Sequence, residues 1–146
     1  MHSYVTGILT EEALFKKTPQ EITALLYEAC LSNLEEAIDD INNKDFIIAN
    51  KKLQKANDIL YRLGAGLNYE AGIIADQLDA LYNYMAGKIV DANYKKDIKL
   101  IEEVIKVLEP ITLAWNEALK KKTGPSSNGL RNKASAYEKN VLMEDK

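Results

Sequence analysis

Apolar residues recur in steps of three and four along most of this chain, the spacing that gathers side chains on one face of an α-helix. Four such runs stand out. In the first, Ile22, Leu25, Leu26, Ala29, Leu34, Ala37, Ile38 and Ile41 share a stripe that ends at Asn42 and Asn43. Thr18 opens it as N-cap, with Pro19 at the first helical position and Glu21 three residues after the cap, the residues of a capping box. In the second, Asp45 is the expected cap, and Ala49, Leu53, Ala56, Leu60, Leu63 and Leu67 alternate in fours and threes until Gly64 and Gly66 let the helix fray before Asn68. The third begins near Glu70, places Ile74, Leu78, Leu81, Met85, Ile89 and Ala92 on one face, and ends around Tyr94 to Lys96. The fourth runs from about Asp97 to Lys122 with Ile98, Ile101, Ile105, Leu108, Ile111, Trp115 and Leu119 inward. Pro110 lies inside it, removes a backbone donor and crowds the preceding turn, so a kink is expected there.

Between Pro19 and Gly64 there is neither glycine nor proline, which leaves strands nowhere to turn. Long helices joined by connections this short must be antiparallel to their neighbours. The predicted fold is therefore all-α, an antiparallel up-down-up-down four-helix bundle over residues 18–122. Residues 1–17 carry Tyr4, Ile8, Leu9, Leu14 and Phe15, too many large apolar groups for an inert leader, and are expected to form an N-terminal cap segment. Residues 123–146 open with Thr-Gly-Pro-Ser-Ser-Asn-Gly and read as a flexible C-terminal tail, with a helical turn or two around Ala134 to Met143.

Composition narrows the chemistry. A chain of 146 residues that is 47% hydrophobic can bury a substantial core as one domain. Its formal net charge of -3 gives no electrostatic case for nucleic-acid binding. The single cysteine, Cys30, excludes an internal disulfide, and its place beside Leu26 and Ala29 suits a small buried hydrophobe. The single histidine, His2, lies outside the bundle, which excludes the Glu-x-x-His pairs of a di-iron helical site. Glu35, Glu36, Asp39 and Asp40 lack the loop spacing of a hard-cation site and read as a solvated face. No glycine loop able to cradle phosphate occurs, so no catalytic, metal-ligating or cofactor-binding residue is assigned and the chain is not expected to be an enzyme. The apolar runs are too short for membrane insertion and the N-terminus lacks a secretory pattern, so a cytosolic location is expected.

What remains to be explained is apolar surface. Ile73, Ala80, Tyr84, Gly87 and Tyr94 form a second stripe on the third helix, roughly opposite the one centred on Leu78 and Met85. Small residues with aromatics beside them, on a side normally turned to water, suggest a groove that accepts another helix. Tight packing between two neighbours, or permanent cover by the N-terminal segment, would produce the same pattern. Asn50, Asn57 and Tyr61 share a strip beside the core face of the second helix and join the candidates. Tyr4 and Ile8 complete the set as groups able to shield, or contribute to, an apolar groove. Leu113 also falls away from the core stripe of the fourth helix.

Several elements resemble the flagellin-specific export chaperones of the FliS family. They are Thr18-Pro19 with Leu25-Leu26-Tyr27-Glu28; Lys55-Ala56 with Ile59-Leu60 and Leu63; Leu67-Asn68 with Glu70, Ile74-Ala75 and Leu78; Leu81-Tyr82-Asn83-Tyr84-Met85; Ala92-Asn93 with Asp97; and Ala114-Trp115 with Glu117-Ala118. They span about residues 18–118, in order. Three features depart from the family pattern: a shortened entry at Lys17-Thr18-Pro19, Pro110 within the last helix, and the uncovered stretch beyond Thr123. The resemblance implies a cytosolic bundle without cofactor that binds the C-terminal helical segment of flagellin, prevents its premature polymerisation and assists delivery to the flagellar type III export apparatus, with export-gate components as further partners. The residues alone leave open a non-catalytic scaffolding or self-associating adaptor bundle.

Overall fold

The computed structural model describes residues 17–67 and 72–123. Four helices account for nearly all of them: α1 (Pro19–Asn42), α2 (Phe46–Ala65), α3 (Ala75–Lys95), which is entered through a 3-10 turn at Gly72–Ile74, and α4 (Ile98–Thr123). No strand occurs among the described residues. The cap segment, with Tyr4 and Ile8, and the C-terminal tail lie outside the described residues.

The entry to α1 follows from its first residues. Thr18 Oγ1 accepts the Glu21 amide at 3.1 Å, and Glu21 Oε1 accepts the Thr18 amide at 3.0 Å, closing the capping box with Pro19 in the first turn. Thr18→Ala is expected to lower stability by about 1 kcal/mol, read as a fall in the midpoint of thermal unfolding followed by circular dichroism. Asp45 does take the N-cap position of α2, but its side chain makes no capping hydrogen bond. The turn is held by backbone instead: the Asp45 amide donates to the Asp40 carbonyl at 2.7 Å, and Lys44 adopts a left-handed conformation at φ 63°. The α3–α4 turn uses the same device at Lys96, φ 53°. In α4 the helix continues unbroken through Pro110, and Thr112 returns its hydroxyl to the Leu108 carbonyl at 2.9 Å.

The four helices form a closed square in which α1 and α3 each pack against both α2 and α4. Cross-helix pairs run in opposite senses along neighbours, as antiparallel packing requires. Between α1 and α2, Cys30 Sγ lies 3.6 Å from the Ala56 carbonyl, while Lys52 pairs with Glu36 and sits 3.9 Å from Asp40. Between α2 and α3, Asn57 meets Ala86 and Asn50 meets Asn93. Trp115 of α4 donates its indole N–H to the Gln20 carbonyl of α1 at 2.9 Å. At the centre the Tyr27 and Tyr82 hydroxyls hydrogen-bond across the diagonal, and the Tyr27 ring lies 6.4 Å from that of Tyr82 and 6.0 Å edge-on from that of Trp115.

The five expected core residues within α2, Ala49, Leu53, Ala56, Leu60 and Leu63, are buried, as is Leu67 just beyond its end. In α3 the expected face is rotated. Leu78, Tyr82, Met85, Ile89 and Ala92 are buried in steps of four and three, whereas Leu81 is 37% exposed and Ile74, in the turn before the helix, is 46% exposed. Tyr82 displaces Leu81 from the interior because Tyr27 supplies the partner that its hydroxyl needs there. In α4, Val104 and Thr112 are buried, and Ile105, Ile111 and Trp115 are only partly so.

Candidate functional site

A groove runs along the outer seam of the second and third helices. Toward the α3–α4 turn it opens into a cavity of about 660 Å³ lined by Asn50, Asn57, Asp58, Val90, Asn93 and Tyr94 among others. Toward the opposite end a second cavity of about 410 Å³ is lined by Asn57, Tyr61, Gly64, Asp79, Asn83 and Ala86 among others. Asn57 borders both, so the two form one trough. From Asn50 to Gly64 the helix rises about 21 Å, the length of a guest helix of about four turns.

Polar side chains tie the two walls together. Asn93 Nδ2 donates to Asn50 Oδ1 at 2.7 Å, and Lys96 Nζ donates to Asn93 Oδ1 at 2.8 Å and to the Asn93 carbonyl at 2.6 Å. Gln54 Nε2 also approaches Asn50 Oδ1, at 3.3 Å. These bonds fix the spacing of α2 and α3 at one end of the trough and hold Lys96 in its left-handed turn. In the middle, Asn57 Nδ2 reaches the Ala86 carbonyl at 3.4 Å, while no donor among the described residues reaches Asn57 Oδ1. A buried acceptor without a donor is unfavourable, and a guest that supplied an N–H there would relieve it. The rims are apolar: Tyr61, Val90 and Tyr94 are all exposed, Tyr94 at 90%.

Four of the residues singled out from sequence therefore converge on this trough: Asn50, Asn57, Tyr61 and Tyr94. The others do not. Ala80, Tyr84 and Gly87 lie on the outward side of α3 and Ile73 in the 3-10 turn before it, all outside both cavities; Ile73 is 97% exposed, and a Cβ built on Gly87 meets nothing within 4 Å. Tyr84 is covered in part by Lys88, whose ammonium sits 5.6 Å from the ring centroid and 3.0 Å from Glu103. The hydrogen bond to Glu103 raises the Lys88 pKa above its ordinary value. Sequence reasoning missed Val90, Asn93 and Ala86. Asn93 had a usable signal, since it falls two turns from Ala86 on the flank of the core stripe, where helix periodicity places a residue against a neighbour.

Among the described residues no group of three or more His, Cys, Asp or Glu is placed to hold a metal ion, and no helix is long and apolar enough to cross a membrane. Cys30 is enclosed in the core, where burial pushes its thiol up to about 12, so it is a packing group rather than a nucleophile at neutral pH.

Known proteins with similar sequences have a narrow range of descriptions. The chain is 34% identical over 102 residues, 70% of its length and 76% of the relative's, to the flagellar secretion chaperone FliS of Bacillus subtilis. It is 32% identical over 112 residues to the protein of the same name in Salmonella typhimurium, covering 75% of this chain and 83% of the relative. The Vibrio cholerae protein of that name is 28% identical over 111 residues, 75% and 82% of the two chains. The profile of the flagellar protein FliS family matches residues 4–122, a span that takes in the four helices, short of the last residue of α4, and both walls of the trough, and the chain belongs to that family.

Proposed function

We propose that the trough between α2 and α3 receives the C-terminal helical segment of flagellin, and that the chain acts as a cytosolic export chaperone. It keeps that segment from polymerising early and carries the subunit to the flagellar type III export apparatus. The observation that carries this reading is the trough itself: about four helical turns long, floored by amides with an acceptor to spare, and rimmed by exposed Tyr61, Val90 and Tyr94. An amphipathic helix seats its apolar stripe in such a groove, and the floor amides fix its register. Membership of a family whose relatives are named flagellar secretion chaperones supports the export role. The role requires holding and release, with no bond made or broken in the guest.

Co-purification with full-length flagellin and with flagellin lacking its C-terminal segment tests the reading. Retention of the first and loss of the second is the expected result; equal retention of both would move the binding determinant elsewhere on flagellin, and self-association without retention of either would favour a scaffolding bundle.

Residues 4–15 enter this reading as a removable cap. Tyr4, Ile8 and Leu9 are large apolar groups on a short glycine-interrupted stretch, and a tethered segment competes with a guest at high effective concentration. Deleting residues 1–16 keeps the Thr18 cap and is expected to raise the affinity for a flagellin C-terminal peptide or to promote self-association, measured by calorimetry with light scattering to follow oligomers. Weaker binding by the truncated monomer would show that the segment contacts flagellin directly.

A further inference from the structure

A second groove runs along the opposite side of the bundle, between α1 and α4. Its volume is about 640 Å³, and its lining combines apolar Leu31, Pro110 and Leu113 with the carboxylates Glu28, Glu35 and Glu109. Leu113 is 62% exposed. Among the described residues Lys106 is the one cation on the wall, and none forms an ion pair with Glu28, Glu35 or Glu109. Asn116 Nδ2 donates to Glu28 at 3.2 Å and ties the two helices together at one end. Burial, followed by the charges of Glu109, Glu28, Asp39 and Glu36, raises the Glu35 pKa above the ordinary carboxylate range. Carboxylates of both helices therefore stand close enough to repel one another over exposed apolar area.

Length, charge and backbone together define what fits there. The lining on α4 runs from Lys106 to Asn116, roughly 15 Å of helix, which matches about three turns of a guest helix. The carboxylates are spread along the groove: Glu28 and Glu35 stand about two turns apart on α1, with Glu109 supplied by α4. No group of three or more acidic side chains among the described residues converges as a metal site would require. Charge distributed in this way is answered by several cations carried on one guest rather than by a single ion. Pro110 also has no N–H, so the carbonyl of Lys106, one turn earlier, lacks its usual helical donor. Both residues line the groove, and a lysine or arginine N–H from a guest would supply that donor.

We infer that the α1–α4 groove docks a basic amphipathic helix of a partner protein, with its apolar stripe on Leu31, Pro110 and Leu113 and its flanking lysines or arginines among Glu28, Glu35 and Glu109. Charge complementarity commits the groove to a cationic guest, because an acidic or neutral helix would desolvate three carboxylates without pairing them. The groove and the α2–α3 trough lie on opposite sides of the bundle, so this docking is independent of what the trough binds and leaves the trough free.

Titration of the full-length chain with a synthetic probe tests the inference, read by fluorescence anisotropy and amide chemical-shift mapping. The probe is a monomeric helical peptide of alanine with leucines on one stripe and lysines on its flanks; its twin carries glutamate in place of each lysine. At low salt the lysine probe is expected to bind saturably, with shifts at Leu31, Ser32, Leu113 and Asn116, and the glutamate twin is expected not to bind. Glu35→Gln with Glu109→Gln should weaken the lysine probe about tenfold. Asp76→Asn with Asp91→Asn, the same change of net charge on α3, should alter it by less than about twofold. Leu113→Ser should cost about fivefold, which separates a seated helix from attraction to an acidic surface. All five positions are exposed, so each variant is expected to keep its helical circular dichroism. Failure of the lysine probe to bind saturably, shifts that fall on the trough instead, and equal binding of the two probes would each overturn the inference. So would equal losses from the two acidic pairs, indifference to Leu113→Ser, or light scattering that shows the groove joining two copies of this chain.

Discussion

Replacing Val90 by glutamate is expected to weaken the capture of a flagellin C-terminal peptide by about a hundredfold, near 2.7 kcal/mol, while leaving the melting temperature unchanged. Val90 is 59% exposed in the free protein, so a carboxylate there stays hydrated and the fold tolerates it. It also lines the larger cavity together with Asp58. A guest helix that covered it would strip water from a charge whose neighbour in the groove is another carboxylate, and desolvating an unpaired charge costs several kcal/mol. Tyr84→Glu supplies the contrast. Tyr84 sits on the outward side of α3 beside Lys88, so a charge there should be accepted in both the free and the bound states. Titration calorimetry on the two variants separates the trough from the outward stripe: a loss with Tyr84→Glu and none with Val90→Glu would transfer the site to the outer face.

Tyr27→Ala is expected to be the most destabilising single change, by about 3 to 5 kcal/mol, a large fraction of the roughly 5 to 15 kcal/mol typical of a small domain. Tyr27 is fully buried where three helices meet, its ring against Tyr82 and Trp115 and its hydroxyl on that of Tyr82. Truncation would leave a cavity bordered by α3 and α4 and deprive Tyr82 of a partner. Urea unfolding should show a lower midpoint with a similar slope. A loss below 1 kcal/mol would mean that the bundle closes around the gap and that the aromatic cluster does not organise it.

The helices and their order were legible because apolar residues recur at helical spacing in four separate runs. Thr18-Pro19-x-Glu21 is a local code, and it forms the capping box that it spells. Residues whose position depends on a partner in another helix were less legible. Tyr82 is buried and Leu81 is not because Tyr27, 55 residues earlier, waits to receive a hydroxyl. Periodicity alone prefers the leucine. The trough shows the same limit. Asn50, Asn57, Tyr61 and Tyr94 could be found as unusual residues at helical spacing, but their convergence depends on how α2 and α3 pack together, and the Asn50–Asn93 bond that ties these helices joins residues 43 apart in sequence. The stripe of Ile73, Ala80, Tyr84 and Gly87 has the right periodicity for a groove, yet among the described residues it lines neither cavity of the trough.

The most direct measurement is amide chemical-shift mapping of the labelled full-length chain as a flagellin C-terminal peptide is added. The account predicts saturable shifts centred on Asn50, Asn57, Val90, Asn93 and Tyr94, including the side-chain amide of Asn57 as its free oxygen gains a donor. Saturable binding whose shifts fall on the α1–α4 face or on the outward side of α3, with the trough residues unmoved, would contradict it.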